Sequence, residues 1–281
     1  MKVAALMAAL VAVGTGGAQA HATAPVPAFR HVAVVVFENK ERSEVLGSGE
    51  APTFDAMAKR YATLSRYYGV SHPSLPNYLA IVSGSTHGIT DDCTSCSASG
   101  RSLVDSLERA KKTWKVYAED LPSPGFTGAF SNGYAKKHDP FMYFKDVRSS
   151  PARRARIVPF PQLSRDVAAG ALPDFSFVVP NLCHSMHDCD IETGDAWLKH
   201  LVPQFLGLPQ TVLFVVFDEG ASNLHGGGHT AALALGTAVR AHSRFTGVTG
   251  HYGLLRTIEA AWKLPSLGYS GRSRPITGIW R

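Results

Sequence analysis

The sequence predicts an α/β/α sandwich built on a mostly parallel central sheet, on three observations. Short runs rich in Val, Phe and Tyr alternate with segments of helical periodicity along the 281 residues. Most of those runs are continuously apolar, the pattern of strands covered on both faces. Three of them end in oxygen-bearing side chains, as expected where a ligand sits beyond the carboxyl ends of an open α/β sheet. A composition of 45% hydrophobic and 18% charged residues supports a sizeable packed core.

In chain order, MKVAALMAALVAVGTGGAQA (1–20) reads as an export signal. Lys2 is its positive start, Val3 to Val13 its apolar segment and Ala18-Gln19-Ala20 its cleavage site. The apolar segment is too short to span a bilayer. Residues 21–281 are then a single exported domain, secreted or periplasmic. HVAVVVF (31–37) is the first strand, followed by Glu38 and Asn39. APTFDAMAKRYATL (51–64) places Phe54, Met57, Tyr61 and Leu64 on one helical stripe, with Thr53 as cap. SHPSLPNYLAIVSG (71–84) is a proline-flanked turn around Ser74, then a buried helix from about Asn77. TWKVYAE (113–119) is a strand, and residues 120–150, rich in Pro, Gly, Lys and aromatics, are an insertion or lid. DFSFVVP (174–180) leads to Asn181 and CHSMHDCD. GDAWLKHLVPQFL (194–206) is a helix bent or shortened at Pro203. TVLFVVF (211–217) ends in Asp218 and Glu219. LHGGGH (224–229) leads through His229 into AALALG (231–236), and His251 opens the last helix, HYGLLRTIEAAWKL (251–264).

Glu38, Asn39, Asp218 and Glu219 bring three carboxylates and one amide oxygen to strand ends. Massed carboxylates repel one another unless a cation neutralises them, so a divalent metal is expected there. Oxygen ligands suit Ca²⁺, Mg²⁺ or Mn²⁺, and histidine participation admits Zn²⁺ or iron. Ser74 has three open roles: nucleophile, metal-bound hydroxyl or helix cap. At a helix start it faces backbone N–H groups and the positive dipole end, which suits a phosphate anion. No G-x-S-x-G elbow occurs. Of the histidines, His229 stands out because Gly226–Gly228 permits close backbone approach before the next strand. In an exported chain the four cysteines favour two local disulfides, Cys93–Cys96 and Cys183–Cys189, among three possible connectivities. The net charge of +6 is scattered, which fits an anionic substrate or surface and not a nucleic-acid footprint.

HVAVVVFENK, SHPSLPNYLAIVSGSTHGI, VVPNLCHSMHDC, VVFDEG and HYGLLRTIEAAWKLP, in that order, resemble the bacterial phosphoesterase family. The resemblance runs from about His31 to Tyr269. That family comprises acid phosphatases and phosphatidylcholine-preferring phospholipases C on an alkaline-phosphatase-like fold. Compact size and an export signal are most similar to its secreted acid phosphatases and phosphatidylinositol-3-phosphatases. The resemblance implies metal binding by Glu38, Asn39, Asp218 and Glu219, with Ser74 as nucleophile or metal-bound hydroxyl. It implies Asn77 as a donor to phosphate oxygens and His187, beside Asp188, as general acid or phosphate ligand. His138, His229 and His251 match positions near substrate. The implied activity is metal-dependent hydrolysis of phosphate monoesters, phosphoinositides among them, with transient membrane contact if the substrate is a lipid. The alternatives are a phospholipase C or other phosphodiesterase, and a non-catalytic metal- or phosphate-binding protein. His184-Ser185 departs from the usual Asn-Asp, Lys40 from the usual Arg or His, and Thr230-Ala231-Ala232 from Ile-Pro-Thr.

Overall fold

The computed structural model describes residues 25–281, so the expected export signal lies outside the described residues. The apolar runs are strands. His31–Phe37 lies between Phe175–Val179 and Thr211–Phe217, parallel to both, with Val34 opposite Phe177 and Phe37 opposite Phe217. The eight-stranded order is Ser243–Phe245, Ala62–Leu64, Ala232–Leu235, Thr211–Phe217, His31–Phe37, Phe175–Val179, Trp114–Ala118, Ile157–Pro159. Only Ala232–Leu235 runs antiparallel to its neighbours. Six of the seven His31–Phe37 residues are buried, which explains a run with no polar alternation.

Side-chain alternation assigns the layers. Phe37 and Phe217 turn to one face and meet Phe54 and Trp197, with the Phe37 ring 5.2 Å from Phe54 and 5.9 Å from Trp197. These rings belong to the helices Pro52–Arg60 and Ile191–Leu201. Phe177 faces the opposite way, against Tyr78 of the helix Ser74–Ser83 at 6.4 Å. Each such ring taken from water contributes about 1.5–3 kcal/mol.

Three sequence expectations change. The helix expected over 51–64 stops at Arg60, and Ala62–Leu64 becomes a strand because Ala232–Leu235 and Ser243–Phe245 offer it partners. Thr53 is inside that helix rather than capping it. Its N–H and that of Phe54 are held by the Asp195 carboxylate, at 3.0 Å each, so the cap comes from a distant helix. The buried helix starts at Ser74 instead of Asn77, and all ten of its residues are buried. It ends at Gly84, whose φ is 72° and where a Cβ would lie 2.0 Å from the Leu267 carbonyl oxygen.

Residues 120–150 form a short hairpin followed by two 3₁₀ turns, Lys136–His138 and Pro140–Tyr143. Tyr134, Phe141, Met142, Tyr143 and Phe144 are buried while Phe130 is exposed, so the segment is packed onto the body. It delivers Lys137 and His138 to the mouth of the Ser74 helix. Two disulfides are formed, Cys93–Cys96 and Cys183–Cys189. Among the described residues no helix is long and apolar enough to cross a membrane.

Candidate active site

Two neighbouring parallel strands end in acids at the same level. One step beyond the Phe37–Phe217 pair stand Glu38 and Asp218, and the Asp218 N–H donates to the Phe37 carbonyl at 2.9 Å. Alternation turns Glu38 away from the Phe37 face, toward the Ser74 helix. There Ser74 Oγ donates to Glu38 Oε2 at 2.7 Å, and the Tyr78 hydroxyl donates to Oε1. His138 Nε2 stands 3.2 Å from the same Oε1, its ring stacked on Tyr78. Ser74 and Tyr78 lie one helical turn apart and so share a face.

This carboxylate is fully buried. Burial alone raises its pKa, but the charge and hydrogen bond of His138, the Tyr78 hydroxyl and the Lys137 charge outweigh that and hold it at about 2.

Asp218 is in the opposite condition. Its Oδ1 accepts the N–H groups of Asn39 and Glu219, at 3.1 and 2.6 Å, while its buried Oδ2 has no hydrogen-bond partner among the described residues. Burial and then the charges of Glu38 and Glu219 drive its pKa well above the carboxylate range. The Ser74 hydroxyl lies close enough to favour ionised Asp218, but its single hydrogen goes to Glu38. Glu219 is raised to about 7, by burial first, with His72 opposing and Glu38 adding. Its Oε2 lies 2.6 Å from His72 Nδ1, and His72 Nε2 donates to the Ser222 carbonyl at 3.1 Å.

Three carboxylates in mutual electrostatic reach, one with an orphaned buried oxygen, fit a cation in the chemistry of their donors. Among the described residues, however, no three His, Cys, Asp or Glu side chains converge closely enough to form a ready metal site. Glu38 is turned into its Ser74, Tyr78 and His138 contacts. The sheet register thus gathers the strand-end acids without closing them into a ligand set.

A second wall faces this cluster. The Leu75 N–H, next after Ser74, donates to Asp92 Oδ1 at 2.9 Å. Lys137 Nζ donates to Asp92 Oδ2 at 2.8 Å and to His187 Nε2 at 3.1 Å. His187 Nδ1 then carries the hydrogen donated to Asp188 Oδ1 at 2.6 Å. Asp92 immediately precedes the Cys93–Cys96 bridge, and Cys183–Cys189 encloses His187 and Asp188.

Several sequence expectations are corrected here. Ser74 is no helix cap: its hydroxyl donates to Glu38, and Asp92 takes the helix N–H. The Asn77 amide is turned to the backbone instead of the site, both hydrogens going to the carbonyls of Ser71 and Pro73, at 2.8 and 3.2 Å. Its Oδ1 accepts from Val70 and Ser71, so this buried amide shapes the turn carrying Ser74. His251 is buried behind the site, with Nε2 donating to the Asp218 backbone carbonyl at 2.6 Å and Nδ1 accepting from the Tyr67 hydroxyl at 2.9 Å. Burial lowers its pKa to about 4, which keeps it neutral, as that pairing requires. His229 donates through Nε2 to the Ser65 carbonyl at 2.9 Å and packs on Tyr68. The glycine run before His229 does bring backbones together: a Cβ on Gly69 would lie 2.5 Å from the Gly227 oxygen and 2.8 Å from that of Asp218. His184 pairs with Glu119 at 2.8 Å.

Tyr78, Asp92, Lys137 and the pairing of His72 were not recognised in the sequence. The spacing of Ser74 and Tyr78 was a usable helical signal, and Lys137 adjoins His138. Nothing local marks Asp92 as facing Ser74.

The profile of the Phosphoesterase family matches residues 37–227. A phosphatidylinositol-3-phosphatase of Mycobacterium tuberculosis is 33% identical over 265 residues, covering 92% of this chain and 85% of that protein. A probable acid phosphatase of Kluyveromyces lactis is 28% identical, over 86% of this chain and 60% of the yeast protein. Among solved structures, an alkaline phosphatase superfamily protein from Vibrio parahaemolyticus superposes with a TM-score of 0.54 at 12% identity, covering 85% of this chain and 69% of its own. That likeness bears on the fold, which is of the alkaline phosphatase type.

Proposed function

The chain belongs to the Phosphoesterase family and is a phosphoric ester hydrolase, and from that premise we propose that it is an exported, metal-dependent phosphomonoesterase with Ser74 as its nucleophile. One observation carries the reading: a buried serine hydroxyl, at the first residue of a helix, is hydrogen-bonded to Glu38 and flanked by Asp218. A hydroxyl used only for structure has no need of two buried carboxylates beside it. Asp218, Glu38, Asn39 and Glu219 would hold the cation once drawn together, since they supply its oxygen donors without being closed into a ligand set as they stand. When bound, it supplies Lewis-acid polarisation of the phosphoryl oxygens and lowers the pKa of a nearby hydroxyl.

In the first step Ser74 Oγ bonds to phosphorus in line with the leaving oxygen. Glu38 orients the hydroxyl, and the hydrogen passes toward the carboxylate pair as the bond forms. The leaving alkoxide takes up a proton from the rim. Of the two imidazole–carboxylate pairs there, His187 has its Nε2 facing Lys137, so we assign that proton to the His72 imidazole, whose Nδ1 lies 2.6 Å from Glu219 Oε2. Water then attacks the phosphoserine, releasing inorganic phosphate and restoring Ser74. The catalytic gain comes from positioning and charge neutralisation.

The substrate class in this proposal is a monoester whose dianion enters beside Ser74. A phosphoinositide is one such monoester, and the M. tuberculosis relative is named for one. The test is phosphate release from p-nitrophenyl phosphate and phosphatidylinositol 3-phosphate by the purified protein, before and after chelation. Wild type should release phosphate, lose release with chelator and regain it with one added divalent metal. Ser74→Ala should lose about 10³-fold or more of turnover while staying folded. Retained turnover in Ser74→Ala would favour direct attack by water, and cleavage confined to diesters would make the protein a phospholipase C or other phosphodiesterase.

A further inference from the structure

The groups around Ser74 are strongly unbalanced in charge. Glu38, Asp92 and Asp188, joined by Asp218 and Glu219 once a cation favours their ionised forms, face the site or its rim, and a phosphoryl dianion must approach through their field. A divalent cation on the strand-end acids compensates those acids first. The oxygens of the phosphoryl group that point away from the acids need another positive partner.

Lys137 is placed for that work. Its side chain is mostly covered, at 13% exposure, and it adjoins His138, which reaches Glu38. Its charge is felt by Glu38, and the charges of Glu38 and Asp218 act back on it, so the three share one electrostatic neighbourhood. Through Asp92 it is one carboxylate away from the backbone N–H that follows the nucleophile. Two of its hydrogens go to Asp92 and His187, and an ammonium has three. Burial lowers its pKa, but Asp92, Glu38 and Asp218 more than reverse this and hold it above the usual lysine range. That direction makes it a poor proton donor and a dependable fixed charge.

We infer that Lys137 is a catalytic residue that binds the non-bridging oxygens of the transferred phosphoryl group, held in position by Asp92 and His187. The inference rests on reading Ser74 as the phosphoryl acceptor. It assigns His187 a different task from proton donation: its Nε2 lone pair fixes the lysine, and Asp188 fixes the imidazole.

The experiment is calorimetric titration with inorganic phosphate, alongside turnover, for wild type, Ser74→Ala, Lys137→Met, Lys137→Arg and Asp92→Asn. Phosphate binding needs no turnover, so this readout survives even if Ser74 proves not to be the nucleophile. Lys137→Met should weaken phosphate binding by about 10- to 100-fold and lower kcat/KM by about 10²-fold or more. Lys137→Arg should keep phosphate affinity within about threefold of wild type, because the charge is retained. Asp92→Asn, which frees the ammonium from one partner, should bind phosphate at least as tightly as wild type. Wild-type phosphate affinity in Lys137→Met overturns the inference. So does an equal loss in Asp92→Asn and Lys137→Met, which would make the lysine a strut for the loop. Should Lys137→Met fail to fold by circular dichroism, Lys137→Gln is read by the same criteria.

Discussion

The two walls of the site are built in contrasting ways. The Glu38–Asp218 wall is a continuation of the parallel sheet: its acids are fully buried and placed by strand register. The Asp92–Lys137–His187 wall comes from three loops far apart in sequence, partly open to solvent and held by side-chain bonds beside two disulfides. The sheet can hold like charges together because the cost of unfolding its core far exceeds the repulsion it stores. Loops cannot do so. They hold alternating charges, Asp92, Lys137, then the His187–Asp188 pair, each satisfying the next.

The contrast makes the largest effect a paradoxical one. Asp218→Asn should abolish turnover, by about 10³-fold or more, yet raise the thermal midpoint of chelator-treated protein. The unpartnered Oδ2 and the neighbouring Glu38 and Glu219 charges oppose ionisation of Asp218 in the fold. A group whose folded pKa is raised costs stability as pH rises through it, and an amide removes that cost while Oδ1 keeps its two N–H donors. Differential scanning at neutral pH with chelator checks this. A lower midpoint would mean that the cluster stores no repulsion.

Disulfide reduction should strike only the other wall. With dithiothreitol, activity should fall by several-fold to about 10-fold, because Cys93–Cys96 adjoins Asp92 and Cys183–Cys189 closes the His187 loop. The far-ultraviolet circular dichroism should be unchanged, since both bridges close short loops and lie outside the sheet. Loss of the sheet signal together with activity would show that the walls are not independent.

The smallest effect on catalysis concerns the segment that carries Lys137. Asp139, two residues on, is fully buried and raised to about 7 by that burial, against partial help from Tyr134, the Phe141 amide and Lys136. Its protonated form suits the fold, so the stability it supports is complete below pH 3.8 and is lost as pH rises toward 7. Asp139→Asn should flatten urea-unfolding stability between about pH 4 and 7, a difference on the order of a few kcal/mol in wild type. Turnover should change by no more than a few-fold. An unaltered pH dependence in the variant would remove Asp139 as its source.

Much of the fold was legible because burial writes itself into composition. Continuous runs such as HVAVVVF and TVLFVVF state that both faces are covered, and that property survives any detail of packing. Glu38 and Asp218 were legible for the same reason: a polar pair directly after such a run has to emerge at a sheet edge. Ser74 was legible as a hydroxyl at a helix start, and its three open roles narrowed only when Glu38 and Asp92 appeared beside it. The backbone partners of Asn77 and His251 were not legible, because residue type alone does not tell a hydrogen bond to backbone from one to a ligand. The Ala62–Leu64 strand was hidden inside a helical stripe because its partners lie about 170 residues onward.

The sequence by itself determined the sandwich, five of the eight strands of its main sheet and the residue types at the carboxyl ends of three of them, because periodicity and burial are local properties. Tertiary structure decided the register that levels Glu38 with Asp218, the face on which Ser74 meets them, and the meeting of Asp92, Lys137 and His187. Those depend on pairings between segments roughly 35 to 180 residues apart. Free energies of that kind belong to the whole core, and no window of sequence contains them.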